Sequence, residues 1–135
     1  MRRPAHEGRR WLKQAEHDLE AARYNRRGGF HAVACFYAQQ AAEKALKAFL
    51  FAQGEPVVIG HSVAELCQSC AGYEERFEEL TGRIGKLDRF YIPTRYPDGL
   101  PGGVPAEVYG EEDASEAIAL ASETVGVVRG LLEDG

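Results

Sequence analysis

The stretch FHAVACFYAQQAAEKALKAFLFAQ, residues 30–53, decides the fold class of this chain. Alanine recurs in it at alternating intervals of four and three residues, which is the period of a single helix face. A face without side-chain bulk lets another helix approach toward the short end of the roughly 8–10 Å interaxial range. Leu46, Phe49 and Leu50 widen the apolar surface, so the pattern predicts the central helix of a helical protein. The repeated alanines are Ala34, Ala38, Ala41, Ala45, Ala48 and Ala52.

On both sides of this stretch the helical period returns, in four further segments, and no segment shows the alternation typical of a strand. The predicted helices span residues 7–25, 30–53, 63–70, 73–91 and 113–133. Ser62 and Glu65 form a capping box at the start of the third helix. The expected architecture is an all-α, up-and-down bundle of about five helices, in one domain that spans residues 1–135.

Residues 92–110 interrupt the helical pattern before the last helix. They hold four of the six prolines, Pro93, Pro97, Pro101 and Pro105, together with several glycines. Prolines at this density argue against a helix, and the segment exceeds the usual connection of about 4–6 residues. The sequence therefore predicts a long Pro/Gly-rich loop, of the kind that often carries function.

Composition excludes several classes of protein. The 135 residues are 44% hydrophobic and 27% charged, which is typical of a folded domain rather than a disordered or membrane-spanning chain. No signal peptide precedes the first helix and no apolar stretch could span a bilayer, so we expect a cytoplasmic protein. The net charge of −5 divides into +5 over residues 1–54 and −10 over residues 55–135. The basic N-terminal part keeps a nucleic-acid ligand possible.

Cys67 and Cys70 have the spacing of a metal or redox motif. They share one face of the third predicted helix with Val63 and Leu66, and a free cysteine behaves as a small hydrophobic side chain. A zinc site would need two further ligands, and Cys35 and His61 are the only plausible donors. The pattern favours core packing of reduced thiols, with no metal and no cofactor.

A polar strip formed by Gln40, Glu43, Lys44 and Lys47 runs along the central helix. Spacing alone favours a solvated face, with a Glu43–Lys47 pair four residues apart that contributes about 0.2–0.5 kcal/mol. The alternative is that the strip faces a ligand or a partner protein.

The loop segment YIPTRYPD, residues 91–98, combines two tyrosines, an arginine and an aspartate between two prolines. Aromatic faces and a guanidinium group suit stacking on a base and pairing with a phosphate. In the other interpretation the tyrosines cover the end of the bundle, and Arg95 pairs with Asp98 or Glu107. The residues alone leave both interpretations open.

Four segments together resemble the small prokaryotic HEPN domains. They are WLKQAEHDLEAA at 11–22, ACFYAQQAAEKALKA at 34–48, HSVAEL at 61–66, and LDRFYIPTRYPD at 87–98. The resemblance runs in order over residues 11–132. It implies an all-α bundle that forms a homodimer and binds a nucleotide or RNA. It also implies a cytoplasmic protein paired with a minimal nucleotidyltransferase in a module of toxin–antitoxin type.

The ribonuclease members of this family carry an arginine followed, four to six residues later, by a histidine in the late helical region. This sequence has no histidine after His61, so it departs from that motif and favours a domain with no catalysis or only weak catalysis. The resemblance makes the loop and the polar strip the preferred binding site. Its candidate residues are Arg95, Tyr96, Asp98, Tyr91, Lys44, Lys47, Gln40, Glu43 and His61.

Two alternatives stay open at this point. One is a ribonuclease toxin that uses Arg95 with Tyr96 or Asp98 in a non-standard active site. The other is an interaction module that binds the partner protein and no ligand.

Overall fold

The computed structural model describes residues 3–134, and over that range it is all-α, as predicted. Its α-helices are α1 (Pro4–Arg27), α2 (His31–Ala52), α3 (Val63–Ala71), α4 (Arg76–Ile84), α5 (Pro105–Val108) and α6 (Glu111–Asp134). Two 3₁₀ segments, Gly85–Phe90 and Pro97–Gly99, complete the secondary structure of the described residues. None of the helices in this part of the chain has the length and apolar character needed to cross a membrane.

The helix α2 is central, and both long helices α1 and α6 pack along it. The first five alanines of the predicted stripe are fully buried. A Cβ atom added to Gly8 of α1 would lie 2.9 Å from Ala52 Cβ and 3.0 Å from the Ala48 carbonyl oxygen. The stripe therefore admits close helix packing, as the sequence predicts, and the glycine of α1 faces it.

The prediction of one continuous helix over residues 73–91 is wrong. The helix α4 begins only at Arg76, and after Ile84 the chain tightens into the first 3₁₀ segment. Gly82 and Gly85 lower helix propensity at this point by about 1 kcal/mol each relative to alanine. The loss of propensity makes this the weakest part of the predicted helix.

Asp88 ties the first 3₁₀ segment to the start of α3. Its carboxylate accepts hydrogen bonds from the backbone nitrogens of Val63 and Ala64, at 2.6 and 3.2 Å, and from Ser62 Oγ at 2.8 Å. The predicted cap of α3 is present as well, since Glu65 N donates to Ser62 Oγ at 3.1 Å. One carboxylate thus fixes the chain where α3 begins and where the long loop departs.

The loop before α6 contains more helix than its prolines predict. Pro97 and Pro105 each occupy the first turn of a short helical segment, the second 3₁₀ turn and α5. Proline is compatible with helix there, because the nitrogens of the first turn have no intrahelical acceptor.

The prediction that the Cys67–Cys70 motif packs in the core is confirmed. Both residues are fully buried, and their sulfur atoms lie 3.4 and 3.5 Å from the carbonyl oxygens of Phe77 and Leu46. Burial raises the pKa of both thiols, and it raises the pKa of Cys35 to about 12. Among the described residues, no group of His, Cys, Asp and Glu side chains is arranged to hold a metal ion.

Candidate functional site

Arg95 lies among three aromatic rings, and we call Phe36, Tyr91, Arg95 and Tyr96 the aromatic–arginine cluster. The guanidinium carbon of Arg95 is 4.4 Å from the ring centroid of Phe36, 4.7 Å from that of Tyr91 and 5.2 Å from that of Tyr96. The Arg95 Nε atom donates a hydrogen bond of 2.9 Å to the Tyr91 carbonyl oxygen. These contacts fix the plane of the guanidinium group on the surface.

The predicted alternative, in which Arg95 pairs with Asp98 or Glu107, is wrong. Arg95 makes no ion pair with any described residue, and its two terminal nitrogens have no hydrogen-bond partner there. Asp98 is exposed in the 3₁₀ turn that follows, and its carboxylate has no partner among the described residues either. Arg95 thus presents a positive charge and free donors to solvent.

His61 extends the cluster from a different part of the chain. Its ring stacks on Tyr91, with a centroid separation of 4.9 Å and an interplanar angle of 18°. The side chain is 59% exposed. Its backbone is held in place because Gln39 Nε2 donates to the His61 carbonyl oxygen at 3.0 Å and because Ser62, the next residue, is bonded to Asp88. The ring is therefore accessible while its position is fixed.

Glu43 connects His61 to the polar strip of α2. One of its carboxylate oxygens is 3.3 Å from His61 Nδ1 and 3.3 Å from Lys47 Nζ. The other accepts from the side-chain amides of Gln39 and Gln40, at 3.5 and 3.3 Å. The predicted i,i+4 pair is therefore present.

The interpretation of this strip as a solvated face is wrong for Glu43 and Lys47, which are both buried. Lys47 lies beneath α1, where its Nζ is 5.8 Å from the ring centroid of Trp11. Trp11 stacks on Phe51 and so closes this side of α2.

The structure does not bring the candidate cations Lys44, Lys47 and Arg95 together at one site. Lys44 Nζ contacts Asp18 of α1 at 2.5 Å and lines a separate polar cleft with Arg10 and Trp11. Each lysine thus has its own carboxylate, because the two side chains leave α2 in different directions. Of the three cations, Arg95 is the one without an acidic partner within residues 3–134.

Three residues that matter to this site escaped sequence reasoning. The one indication for Phe36 in the sequence was that an aromatic residue lies on the polar side of the central helix. Gln39 adjoins the strip that was recognised, and Asp88 lies inside a recognised segment. The contacts of Asp88 and Gln39 join parts of the chain that are more than 20 residues apart, which spacing within one helix does not reveal.

Beside the aromatic–arginine cluster lies a largely apolar cleft of about 490 Å³. Arg95 forms part of its wall, and the start of α2 and the long loop supply the remainder. Phe30, Val33 and Val104 line the cleft and are exposed to solvent. We call this the apolar cleft.

A sequence model of the HEPN domain matches residues 9–131. A protein of Methanocaldococcus jannaschii, named "Putative toxin MJ1304", is 29% identical over 132 residues, which cover 92% of this chain and 87% of the relative.

Solved structures resemble this chain along nearly its whole length. TT1696 from Thermus thermophilus is 42% identical with a TM-score of 0.86, covering 92% of this chain and 97% of that one. ST0689, described as an archaeal HEPN homologue, is 39% identical with a TM-score of 0.70, covering 98% and 99%. A HEPN domain protein from Thermotoga maritima is 30% identical with a TM-score of 0.71, covering 92% and 98%.

Proposed function

Because the chain belongs to the HEPN domain family, we propose that it is a helical domain that binds a nucleotide or RNA through the aromatic–arginine cluster. In this proposal it acts as a homodimer in the cytoplasm, together with a minimal nucleotidyltransferase, in a module of toxin–antitoxin type. The name of the relative from M. jannaschii supports the toxin part of the proposal.

The observation that carries the proposal is the state of Arg95. Its guanidinium is oriented by three rings, and its two terminal nitrogens are free of the other described residues, the arrangement that binds a phosphate through two hydrogen bonds. Tyr96 is half exposed beside it and offers a face to a base. Stacking of one base on an aromatic side chain contributes about 1–3 kcal/mol.

The binding test compares two exposed arginines of the same segment. Isothermal titration with a mononucleotide and a short RNA is carried out on the wild type, Arg95→Ala and Arg89→Ala. Arg89 is exposed and lies outside the cluster, so it is the matched control for loss of one positive charge. We expect Arg95→Ala to weaken binding about tenfold or more, since a hydrogen bond to a charged group contributes about 1.5–3 kcal/mol. Equal affinities of the two variants, or no binding by the wild type, would overturn the proposal.

The apolar cleft supports the homodimer. A cleft bordered by exposed Phe30, Val33 and Val104 leaves apolar area in water that a second copy would bury. Sedimentation velocity on Val104→Glu tests this, with Ile59→Glu as the control because Ile59 is 82% exposed and does not line the cleft. We expect Val104→Glu to be monomeric and Ile59→Glu to stay dimeric; a dimer in both would rule out this surface.

The remaining alternatives have direct tests. Co-purification with the nucleotidyltransferase tests whether the two proteins form a complex. A complex that forms while neither ligand class binds would favour the interaction module.

Incubation of the pure protein with total RNA tests the ribonuclease alternative. We expect the RNA to stay intact, because Asp98 makes neither a hydrogen bond nor an ion pair with Arg95 within residues 3–134 and the Tyr96 ring faces the Arg95 guanidinium.

A further inference from the structure

A groove runs between α1 and the C-terminal end of α6, and we call it the α1–α6 groove. Two adjoining depressions of about 270 and 350 Å³ form it, and they share Arg9 and Leu132. On α1 the lining residues follow one helix face over three turns, a length of about 16 Å. They are Ala5, Arg9, Leu12, Lys13 and Glu16.

The floor of the α1–α6 groove is aliphatic. Leu12 is 8% exposed, and Leu131 and Leu132 are partly buried side chains that pack against the core. Ala52, at the end of α2, continues this surface. Within residues 3–134, no side chain that lines the groove is aromatic, so a nucleic-acid base finds no ring on which to stack. An aliphatic floor favours the apolar face of a protein segment instead.

The rim of the groove carries positive charge that the described part of the chain does not neutralise. Arg9 and Lys13 are exposed and form no ion pair with residues 3–134. Arg129 also lines the groove, and it pairs with Glu16 at 2.6 Å. Glu133 is the other acid in the lining, so the cations of the groove outnumber its acids.

This positive charge is local, because the chain as a whole is acidic. Residues 1–13 contain five arginine and lysine side chains and one glutamate, which gives a net charge of +4, whereas the full chain has −5. The N-terminal end of a helix also carries partial positive charge, and α1 begins here. A segment that binds in the groove therefore needs acidic side chains beside its apolar face.

The groove is remote from the proposed ligand site. Ala52 and Gln53, which line it, lie at the C-terminal end of α2, whereas the apolar cleft beside Arg95 is lined by His31, the first residue of that helix. The 22 residues of α2 span about 33 Å. A partner can thus occupy the groove without covering the aromatic–arginine cluster.

We propose that the α1–α6 groove binds an acidic amphipathic helix of another protein, with the apolar face of that helix on the leucine floor and its carboxylates on Arg9 and Lys13. In such a helix-in-groove contact, apolar residues three and four positions apart fill the groove. This inference does not depend on a nucleic-acid ligand at the cluster, so either proposal can fail alone.

Fluorescence polarisation with three labelled synthetic peptides of equal length tests the chemistry of the groove. The first carries leucine at helical spacing on one face and glutamate on the other. The second has alanine in place of leucine, and the third has lysine in place of glutamate. We expect saturable binding of the first peptide to the full chain, and binding weaker by about tenfold or more for the others, which lose apolar burial or meet like charges. No binding of the first peptide, or an alanine peptide that binds as tightly, would overturn the inference.

Two exposed cations of α1 locate the binding surface. Lys13→Glu reverses a charge in the groove and Arg27→Glu reverses one at the other end of α1; neither side chain has an acidic partner within residues 3–134. We expect Lys13→Glu to weaken binding of the first peptide about fivefold or more, since a repulsion replaces an attraction. Arg27→Glu should stay within about twofold of the wild type, because salt screens charges at that separation. Equal effects of the two variants would show a response to net charge alone and would overturn the inference.

Two other occupants of the groove would give different results. A short RNA that displaces the first peptide, with Lys13→Glu weakening both, would identify a nucleic-acid surface. Absence of peptide binding, together with a change from dimer to monomer in sedimentation velocity of Lys13→Glu, would show that a second copy of this chain covers the groove. Either result would overturn the inference.

Discussion

The buried carboxylate of Glu43 joins several side chains of the candidate site. Glu43 is 3% exposed, yet it meets a cation, an imidazole and two amides, so its charge is compensated inside the bundle. Such an arrangement holds its members in fixed positions, because moving any one leaves a buried polar group without a partner.

We expect Glu43→Ala to lower the free energy of unfolding by about 3–5 kcal/mol, since it leaves the buried Lys47 ammonium without its acid. Chemical denaturation measures the change. Glu20→Ala is the control, because Glu20 pairs with Arg23 on the exposed side of α1 and such pairs contribute about 0–1 kcal/mol. A loss below about 1 kcal/mol for Glu43→Ala would show that the buried pair is not needed for stability.

Sequence reasoning at this level identified the groups but not their surroundings. The loop pattern made Arg95 and the two tyrosines candidates, but it left open whether they bind a ligand or cover the end of the bundle, and the family resemblance made them the preferred site. The burial of Lys47 could not be predicted, since Trp11 of another helix lies over it, and the burial of Glu43 accompanies contacts with His61 from a distant part of the sequence.

Among the helices, the contact between α1 and α2 depends on the absence of a side chain at Gly8. An added Cβ would meet Ala52 Cβ and the Ala48 backbone at distances that real Cβ atoms rarely reach. The alanine stripe predicted that another helix would pack closely against α2. This could be predicted from the sequence because the alanine repeat lies within a single helix.

We expect Gly8→Ala to destabilise the protein by about 1–3 kcal/mol, because α1 must move away from α2. Gly126→Ala is the matched control: Gly126 also lies within a long helix, and its Cβ would meet no atom within 4 Å. That substitution should stabilise the protein by up to about 1 kcal/mol through helix propensity. Thermal unfolding of both variants provides the comparison, and stabilisation by Gly8→Ala would contradict the close packing.

The C-terminal end of α4, by contrast, could not be predicted from the sequence. The apolar period over residues 73–91 continues into the 3₁₀ segment, where Leu87 is still buried. Periodicity alone did not distinguish a helix from a helix followed by a tighter turn. The tertiary contact of Asp88 with the start of α3 accompanies the change, and it places Tyr91 under His61.

For the bundle as a unit, exposed ion pairs join the two outer helices α1 and α6. Arg26 of α1 pairs with Glu111 of α6 at 2.6 Å, and Arg129 of α6 pairs with Glu16 of α1 at 2.6 Å. These pairs are exposed and contribute little individually. The first pair joins the basic part of the sequence to the acidic part and the second has the opposite sense, so contact between α1 and α6 does not account for the charge division.

The buried thiols predict how stability depends on pH. Burial, with smaller contributions from Asp113 and Glu116, raises the pKa of Cys35 from its ordinary 9.0 to about 12. Above pH 9.0 the unfolded chain loses this proton and the folded chain keeps it, so stability falls as pH rises, over a window that ends near pH 12.

Each such thiol should contribute a slope of about 1.4 kcal/mol per pH unit. Denaturation of wild type and Cys35→Ala at several alkaline pH values measures it, and we expect a shallower decline in the variant. Parallel declines in the two proteins would show that ionisation of Cys35 is not coupled to unfolding.

In the proposed function, the aromatic–arginine cluster and His61 together form the ligand site. Heteronuclear NMR of the labelled protein, titrated with a short RNA, tests it most directly. We expect saturable shifts confined to Phe36, His61, Tyr91, Arg95 and Tyr96 and their neighbours, with small changes in the cleft that Lys44 lines. Shifts centred on Lys44 and Arg10, with the cluster unchanged, would contradict it.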